Sequence, residues 1–266
     1  MELLLSWRLL VATLIGWFAG LLGGMTGLVL GALRLPAIYA VLPVTQAAAG
    51  TNLGIDGLTA AAALFRYRRG TRIDGQALAL VGVSSAAGAF VGAYLAAALS
   101  ERGFLLVAGA GLLATGLRIW QLAQRGARIA SRSRTPLPAG RAAPRRVVRA
   151  AGGGFVLGVV GGVAGLILVE LRGELFRRTL GLAPRPAAAT NLAVGVLTGA
   201  AGLAGHGAHG QFDLAMLLIA GACSMLGAHF GAYLRGMIGR AGLMRTIGFL
   251  LLVVGIAASS RGLGLT

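Results

Sequence analysis

The side chains best able to do chemistry in this chain come in matched pairs. Thr51-Asn52-Leu53 returns as Thr190-Asn191-Leu192, 139 residues later, and each copy is followed by a further threonine, Thr59 and Thr198. Arg34 and Arg172 each follow a glycine-interrupted apolar run. A guanidinium offers planar N–H donors suited to a carboxylate or a sulfur oxyanion. A hydroxyl or amide beside it can donate to the same anion or cap a helix. Pro43 precedes the first Thr-Asn, Pro184 and Pro186 precede the second, and an apolar run follows each, so both read as helix starts. A helix starting at membrane depth leaves free N–H groups and a positive dipole end for an anion. The substrate-binding candidates are therefore Arg34, Thr51, Asn52, Thr190, Asn191 and Arg172. The plainer alternative has Thr-Asn capping or bridging helices. The arginines then reach lipid head groups or pair with Asp56, Glu170 or Glu174.

Two further residues are candidates for coupling. Asp56 lies four positions after Asn52 inside an apolar run, and Gly195 stands at its repeat position. A carboxylate there is costly unless paired or protonated, so it either carries a coupling proton or neutralises an arginine. His229 lies in a late apolar run opposite Phe90 in the repeat, as a proton relay or a hydrogen-bonded core residue. Asp74 and Asp213 match across the repeat and read as helix caps. His206 and His209 are too isolated to propose a metal, and the one cysteine, Cys223, excludes an internal disulfide. No phosphate-binding glycine loop, nucleophile elbow or catalytic carboxylate pair is present, so the expectation is no catalytic residue, cofactor or metal.

These residues must be positioned by membrane helices. The chain is 57% hydrophobic and 12% charged, and its apolar runs are about 20 residues long, the length that crosses a bilayer. Its net charge of +17 comes from 24 basic residues, all arginine. They sit mostly between apolar runs, as expected from the positive-inside rule and contact with anionic lipid rather than from nucleic-acid binding. In order, Leu3 to Leu33 is a glycine-interrupted apolar run, too long for one simple crossing and read as a broken or hairpin element, which Arg34-Leu35-Pro36 closes. Crossings follow at Gln46 to Phe65, about Gln76 to Leu99 behind an Asp74 cap, and Phe104 to Leu122. The second half opens with the apolar run Gly152 to Leu171.

The pattern then restarts. Gly161-Gly162 and Gly165 fall on Gly23-Gly24 and Gly27, Asp213 falls on Asp74, and Gly227 to Leu234 falls on Gly88 to Leu95. Shared register over so much of the chain indicates an internal duplication. The expected organisation is repeat 1 over 1–123, an Arg/Pro-rich cytoplasmic linker over 124–147 and repeat 2 over 148–266. Arginines crowd Arg66 to Arg72 in the first half. The matching turn of the second half, His206 to Gln211, has none, and Arg172, Arg177, Arg178 and Arg185 stand elsewhere. Such swapped bias favours inverted over parallel repeats. The fold class is all-α polytopic membrane protein, each half a glycine-broken first element plus three helices, roughly 8 to 10 helical segments in all.

Both halves, each with a glycine-broken first element and a Thr-Asn start to the next, resemble the TauE/SafE-type sulfite exporter (TSUP) family of bacterial permeases. Gly27, Gly31 and Pro36 stand where the family's glycine cluster and following proline would, with Val29 and Leu30 replacing the middle glycines. In the second half Gly165 survives, while Val169 and Glu174 take the later glycine and proline places. The resemblance implies export of a small anion such as sulfite, a sulfonate or sulfoacetate. The expected reading is a multi-pass secondary transporter of the bacterial cytoplasmic membrane, working by alternating access between the repeats. Its expected partners are the anion, the bilayer, a coupling proton or ion and a possible second copy of the chain, with no nucleic acid. A membrane enzyme acting on a lipid phosphate and a non-transporting scaffold are the alternatives.

Overall fold

The computed structural model describes residues 2–26, 30–42, 44–67, 71–125, 144–234 and 239–265. Among these there are ten helices and no strand: α1 (Glu2–Thr26), α2 (Gly31–Val41), α3 (Thr45–Tyr67), α4 (Gly75–Ala96), α5 (Glu101–Arg125), α6 (Pro144–Ala164), α7 (Val169–Arg178), α8 (Pro184–Gly207), α9 (Leu214–Tyr233) and α10 (Arg240–Leu263). One turn of α4, Leu78–Gly82, is wound as a π-helix. The helices α1, α4, α5, α6, α8, α9 and α10 each contain a stretch long and apolar enough to cross a membrane. The 23-residue α3 is as long but carries Thr51, Asn52 and Asp56 along its length. The outward surface is apolar, with Leu10, Leu14 and Phe18 forming a stripe on α1 and Leu214 and Leu218 another on α9. Lipid, not water, suits such a surface.

The run from Leu3 to Leu33, expected as a broken or hairpin element, is two helices. The chain leaves α1 at Thr26, and α2 then packs back along it. Arg34-Leu35-Pro36 does not close the run; it lies inside α2. The run from Gly152 to Leu171 divides in the same way, between α6 and α7. Gly153 lies beside Leu175, and Gly161 beside Leu166 and Leu168, so the two helices form a hairpin. Gly165 ends α6 in a left-handed turn (φ 72°), and the Leu166 N–H reaches back to the Gly161 carbonyl at 2.9 Å. This is the cap that stops a helix and turns the chain out of it, and glycine takes that conformation without penalty.

Thr51-Asn52 and Thr190-Asn191 are not helix starts. α3 begins at Thr45 and α8 at Pro184, so each pair lies in the second turn. The alanines between proline and threonine are strong helix formers and extend the helix backwards. The helix starts that are buried belong instead to the short helices, at Gly31 and Val169. Asp74 and Asp213 cap α4 and α9 as expected, accepting from the N–H groups of Ala77 (2.8 Å) and Met216 (2.7 Å). The greater part of the expected linker, 126–143, lies outside the described residues; its edges are helical, in α5 and α6.

The long helices pair across the chain. α3 and α8 run antiparallel, with Gly50 beside His206, Gly54 beside Leu203 and Gly57 against Gly199. α5 and α10 are also antiparallel, with Gly109 beside Ser259, Gly116 beside Leu251 and Gly262 beside Leu106. α1 packs parallel to α9 through Gly16, Gly20 and Gly24, and α6 packs parallel to α4 through Gly154, Gly158 and Gly162. Small residues at these crossings let backbones approach closely, the main source of helix association in lipid. Leu35, Phe104, Leu112, Ile119, Leu166 and Leu251 form the largest buried apolar cluster, binding α2, α5, the Gly165 turn and α10 together.

Candidate functional site

The site grows from two turns of α3 and the matching turns of α8. In the second turn of α3 the Thr51 hydroxyl donates to the Ala47 carbonyl (2.8 Å) and accepts the backbone N–H of Asp213 (2.9 Å). In the second turn of α8 the Thr190 hydroxyl accepts the backbone N–H of Asp74 (3.0 Å). The two threonines thus fasten each long helix to the start of a helix from the other half of the chain, a structural use of a hydroxyl.

Asn52 and Asp56, one turn apart on α3, tie both short-helix hairpins to that helix. The Asn52 amide donates to the carbonyl of Gly165 (2.8 Å), and its oxygen accepts Nε of Arg34 (3.0 Å). Asp56 accepts NH2 of Arg34 (2.7 Å) and the backbone N–H of Ile167. NH1 of Arg34 donates to the Ser224 hydroxyl (2.9 Å), which in turn donates to the Gly16 carbonyl (3.0 Å). All three guanidinium nitrogens of Arg34 have partners, and Asp56 balances its charge. The carboxylate fits because residue 31 is glycine: a side chain there would collide with it.

The second half repeats part of this arrangement and omits the rest. Nε of Arg172 donates to the Asn191 oxygen (2.8 Å), and the Asn191 amide donates to the Val169 carbonyl (2.7 Å). NH1 of Arg172 donates to the Thr198 hydroxyl (2.9 Å). NH2 of Arg172 has no hydrogen-bond partner among the described residues, although the side chain is only 2% exposed. Where Asp56 stands in the first half, the second has Gly195. Glu170, two residues before Arg172 on α7 and 5% exposed, has no side chain among the described residues bonded to its carboxylate, only its own backbone N–H beside it, and it forms no ion pair with Arg172. The charges of Asp56 and Arg172 both act on it.

A family model described as sulfite exporter TauE/SafE matches residues 12–258, nearly the whole chain. The chain belongs to the TauE/SafE family. The family is described as one of sulfite exporters, and with seven helices among the described residues able to cross a membrane the chain is a multi-pass membrane protein of it. No curated protein and no solved structure matches it.

Of the residues that sequence singles out in this TauE/SafE chain, the structure brings Arg34, Asn52 and Asp56 into one buried group and Arg172 and Asn191 into another. Thr51 and Thr190 stand one position before the asparagines and bond elsewhere. His229 is exposed on the outer face of α9, with its ring edge-on to Phe230 and Tyr233. Three contributors escaped the sequence reading as site residues. Ser224 pairs with Ser85 in the repeat, and serine in an apolar helix was the available signal. Thr198 follows Asn191 by two turns. His206 is buried between the Gly162 carbonyl (3.0 Å) and the Gln211 side chain (3.2 Å), and joins α8 to α6. Glu174 gathers Arg118 of α5 and both Arg177 and Arg178 of its own helix, fastening the half-buried end of α7 to α5.

Proposed function

We propose that this protein is a secondary transporter of the bacterial cytoplasmic membrane that exports a small sulfur oxyanion or related organic anion, sulfite or a sulfonate, by alternating access. The halves 1–123 and 148–266 act as inverted repeats. The antiparallel pairing of α3 with α8 and of α5 with α10 supports that relation, because helices at matching positions then run in opposite directions. The reciprocal bonds of Thr51 to Asp213 and of Thr190 to Asp74 support it as well.

The observation that carries the reading is NH2 of Arg172, buried on the short helix α7 with no hydrogen-bond partner among the described residues. An unsatisfied charged donor is costly in a low-dielectric interior and is retained where a ligand satisfies it. The helix starts at Gly31 and Val169 add positive dipole ends to the same region. Arg34, already balanced by Asp56, holds the first hairpin; Arg172 contacts the anion. Purified protein in liposomes loaded with sulfite or methanesulfonate tests this. Flux above protein-free liposomes is expected, with loss on Arg172→Gln; absence of flux for every sulfur oxyanion tried overturns the transport reading.

A further inference from the structure

We propose that one end of the helix bundle docks on anionic lipid head groups, and that this end faces the cytoplasm. The starts of α4, α6 and α8 and the end of α7 meet there. Ala77, Ala150, Phe176 and Ala187 share one buried apolar cluster, and the Thr190 hydroxyl accepts the Asp74 N–H. The end of α5 joins them through Arg118 and Glu174, and the start of α10 through its antiparallel crossing with α5 at Gly116. Arg145, Arg146 and Arg149 stand exposed on the first two turns of α6, Arg178 on the last turn of α7 and Arg185 on the first turn of α8. The acids described at this end are both engaged: Asp74 caps α4, and Glu174 is shared by three arginines. At the opposite end the exposed arginines are Arg102 and Arg261, and Glu101 and Asp213 balance them.

The start of α6 shows what this surface fits. Its arginines stand at the positive end of the helix dipole, with no acid in the first turn and no hydrogen bond or ion pair to a described residue. Cations placed there repel the dipole unless an outside anion compensates them. Val148, set among them, is 70% exposed, and from Arg145 onward α6 is long and apolar enough to cross a membrane. The arginines therefore stand at head-group depth. A phosphodiester head group gives them bidentate acceptors while its acyl chains cover Val148 and the arginine stems. A soluble acidic partner would leave that valine in water. The basic excess of cytoplasmic connections sets the orientation. α1 runs parallel to α9, whose start is tied to Thr51 at the far end, and Gly262 of α10 lies beside Arg102 there. The first turn of α1 and the last turn of α10 are thereby on the outer side. None of this depends on the transport reading.

The test titrates phosphatidylglycerol, or phosphatidylcholine as the zwitterionic control, into protein purified in a non-ionic detergent and follows the melting temperature. The wild type is expected to gain more from phosphatidylglycerol, with the difference disappearing at high salt. Combining Arg145→Gln, Arg146→Gln and Arg149→Gln should raise the phosphatidylglycerol concentration for half-maximal stabilisation at least about tenfold. Arg102→Gln with Arg261→Gln, at the opposite end, should leave it unchanged. Equal stabilisation of the wild type by the two lipids, an unshifted midpoint in the triple variant, or an equal shift in the control overturns the docking surface. If the triple variant does not fold, Arg146→Gln alone decides: its midpoint must rise several-fold, and an unshifted midpoint rejects the surface. Orientation has its own readout in a Cys223→Ser background. Arg146→Cys should react with a membrane-impermeant thiol reagent in inverted vesicles, and Arg102→Cys in intact cells; any other pattern overturns the orientation.

Discussion

Arg34 and Asp56 meet at 2.7 Å with both side chains sealed inside the protein, and this pair joins α2 to α3. Because Asp56 also accepts the Ile167 N–H, it holds the turn between α6 and α7 as well. Removing one member of a buried pair strands the other charge. Asp56→Ala is expected to destabilise the protein by roughly 3–5 kcal/mol. The double change Arg34→Met with Asp56→Leu should recover most of that loss, since no charge is left uncompensated. Thermal unfolding in detergent measures both, and a double variant no more stable than Asp56→Ala would show that the pair does not act as a unit.

Among the described residues Glu170 is the second buried carboxylate, and unlike Asp56 it has no arginine bonded to it, only its own backbone N–H. As a carboxylate it repels an anion at Arg172; protonated, it does not. Anion binding and proton binding at Glu170 therefore favour each other, and affinity should fall as pH rises through the range where Glu170 ionises. Replacement by Gln removes the charge at every pH. Glu170→Gln should flatten the pH dependence and tighten half-saturation on the alkaline side, by on the order of tenfold. Methanesulfonate flux at several pH values measures this, because the probe itself does not titrate there. A pH profile identical to wild type would remove Glu170 from the coupling.

Gly165 does two jobs that no other residue can do together. Its φ of 72° ends α6, and a Cβ there would come to 2.5 Å from the Ala49 Cα on α3. Gly165→Ala combines backbone strain with a backbone clash, so several kcal/mol of destabilisation is expected, above the roughly 1 kcal/mol typical of an unclashed glycine-to-alanine change in the left-handed region. The Asn52 bond to the Gly165 carbonyl should loosen with it. Loss of a monodisperse species in detergent is the expected outcome; a wild-type melting temperature would mean that the α6–α7 turn relaxes freely.

How far sequence carried the reading can be seen at single residues. The repeat register pointed to Arg34, Arg172, Asn52 and Asn191, because residues that recur at fixed spacing in apolar surroundings stand out. The cap role of Asp74 and Asp213 was legible for the same reason, since capping is a local interaction. The place of Thr51 in its helix was misread, because helix starts are set by competition between proline, alanine and threonine over several residues. The hairpin nature of the first element was open, since a glycine-rich run breaks wherever tertiary packing asks it to. What sequence could not provide was which arginine is satisfied. Asp56 against Gly195 was visible as an asymmetry, but reading it as a fully partnered arginine in one half and an incompletely partnered one in the other needs the Ile167, Ser224 and Thr198 contacts, which join residues far apart in the chain.

The inverted relation proposed for the halves makes a prediction about sidedness that is independent of any substrate. Arg72 lies in the connection between α3 and α4, and His209 in the connection between α8 and α9; both are exposed. Because α3 and α8 run antiparallel, their C-terminal ends leave the bundle at opposite faces. Arg72→Cys and His209→Cys, each in a Cys223→Ser background, should therefore react with a membrane-impermeant thiol reagent from opposite sides of the membrane. The swapped arginine bias points the same way, since Arg66 to Arg72 are basic and His206 to Gln211 contain no arginine. Labelling of intact cells against inverted vesicles gives the answer. Reaction of both positions from the same side would mean that α3 and α8 do not both cross the membrane, and the inverted-repeat mechanism would fall with that result.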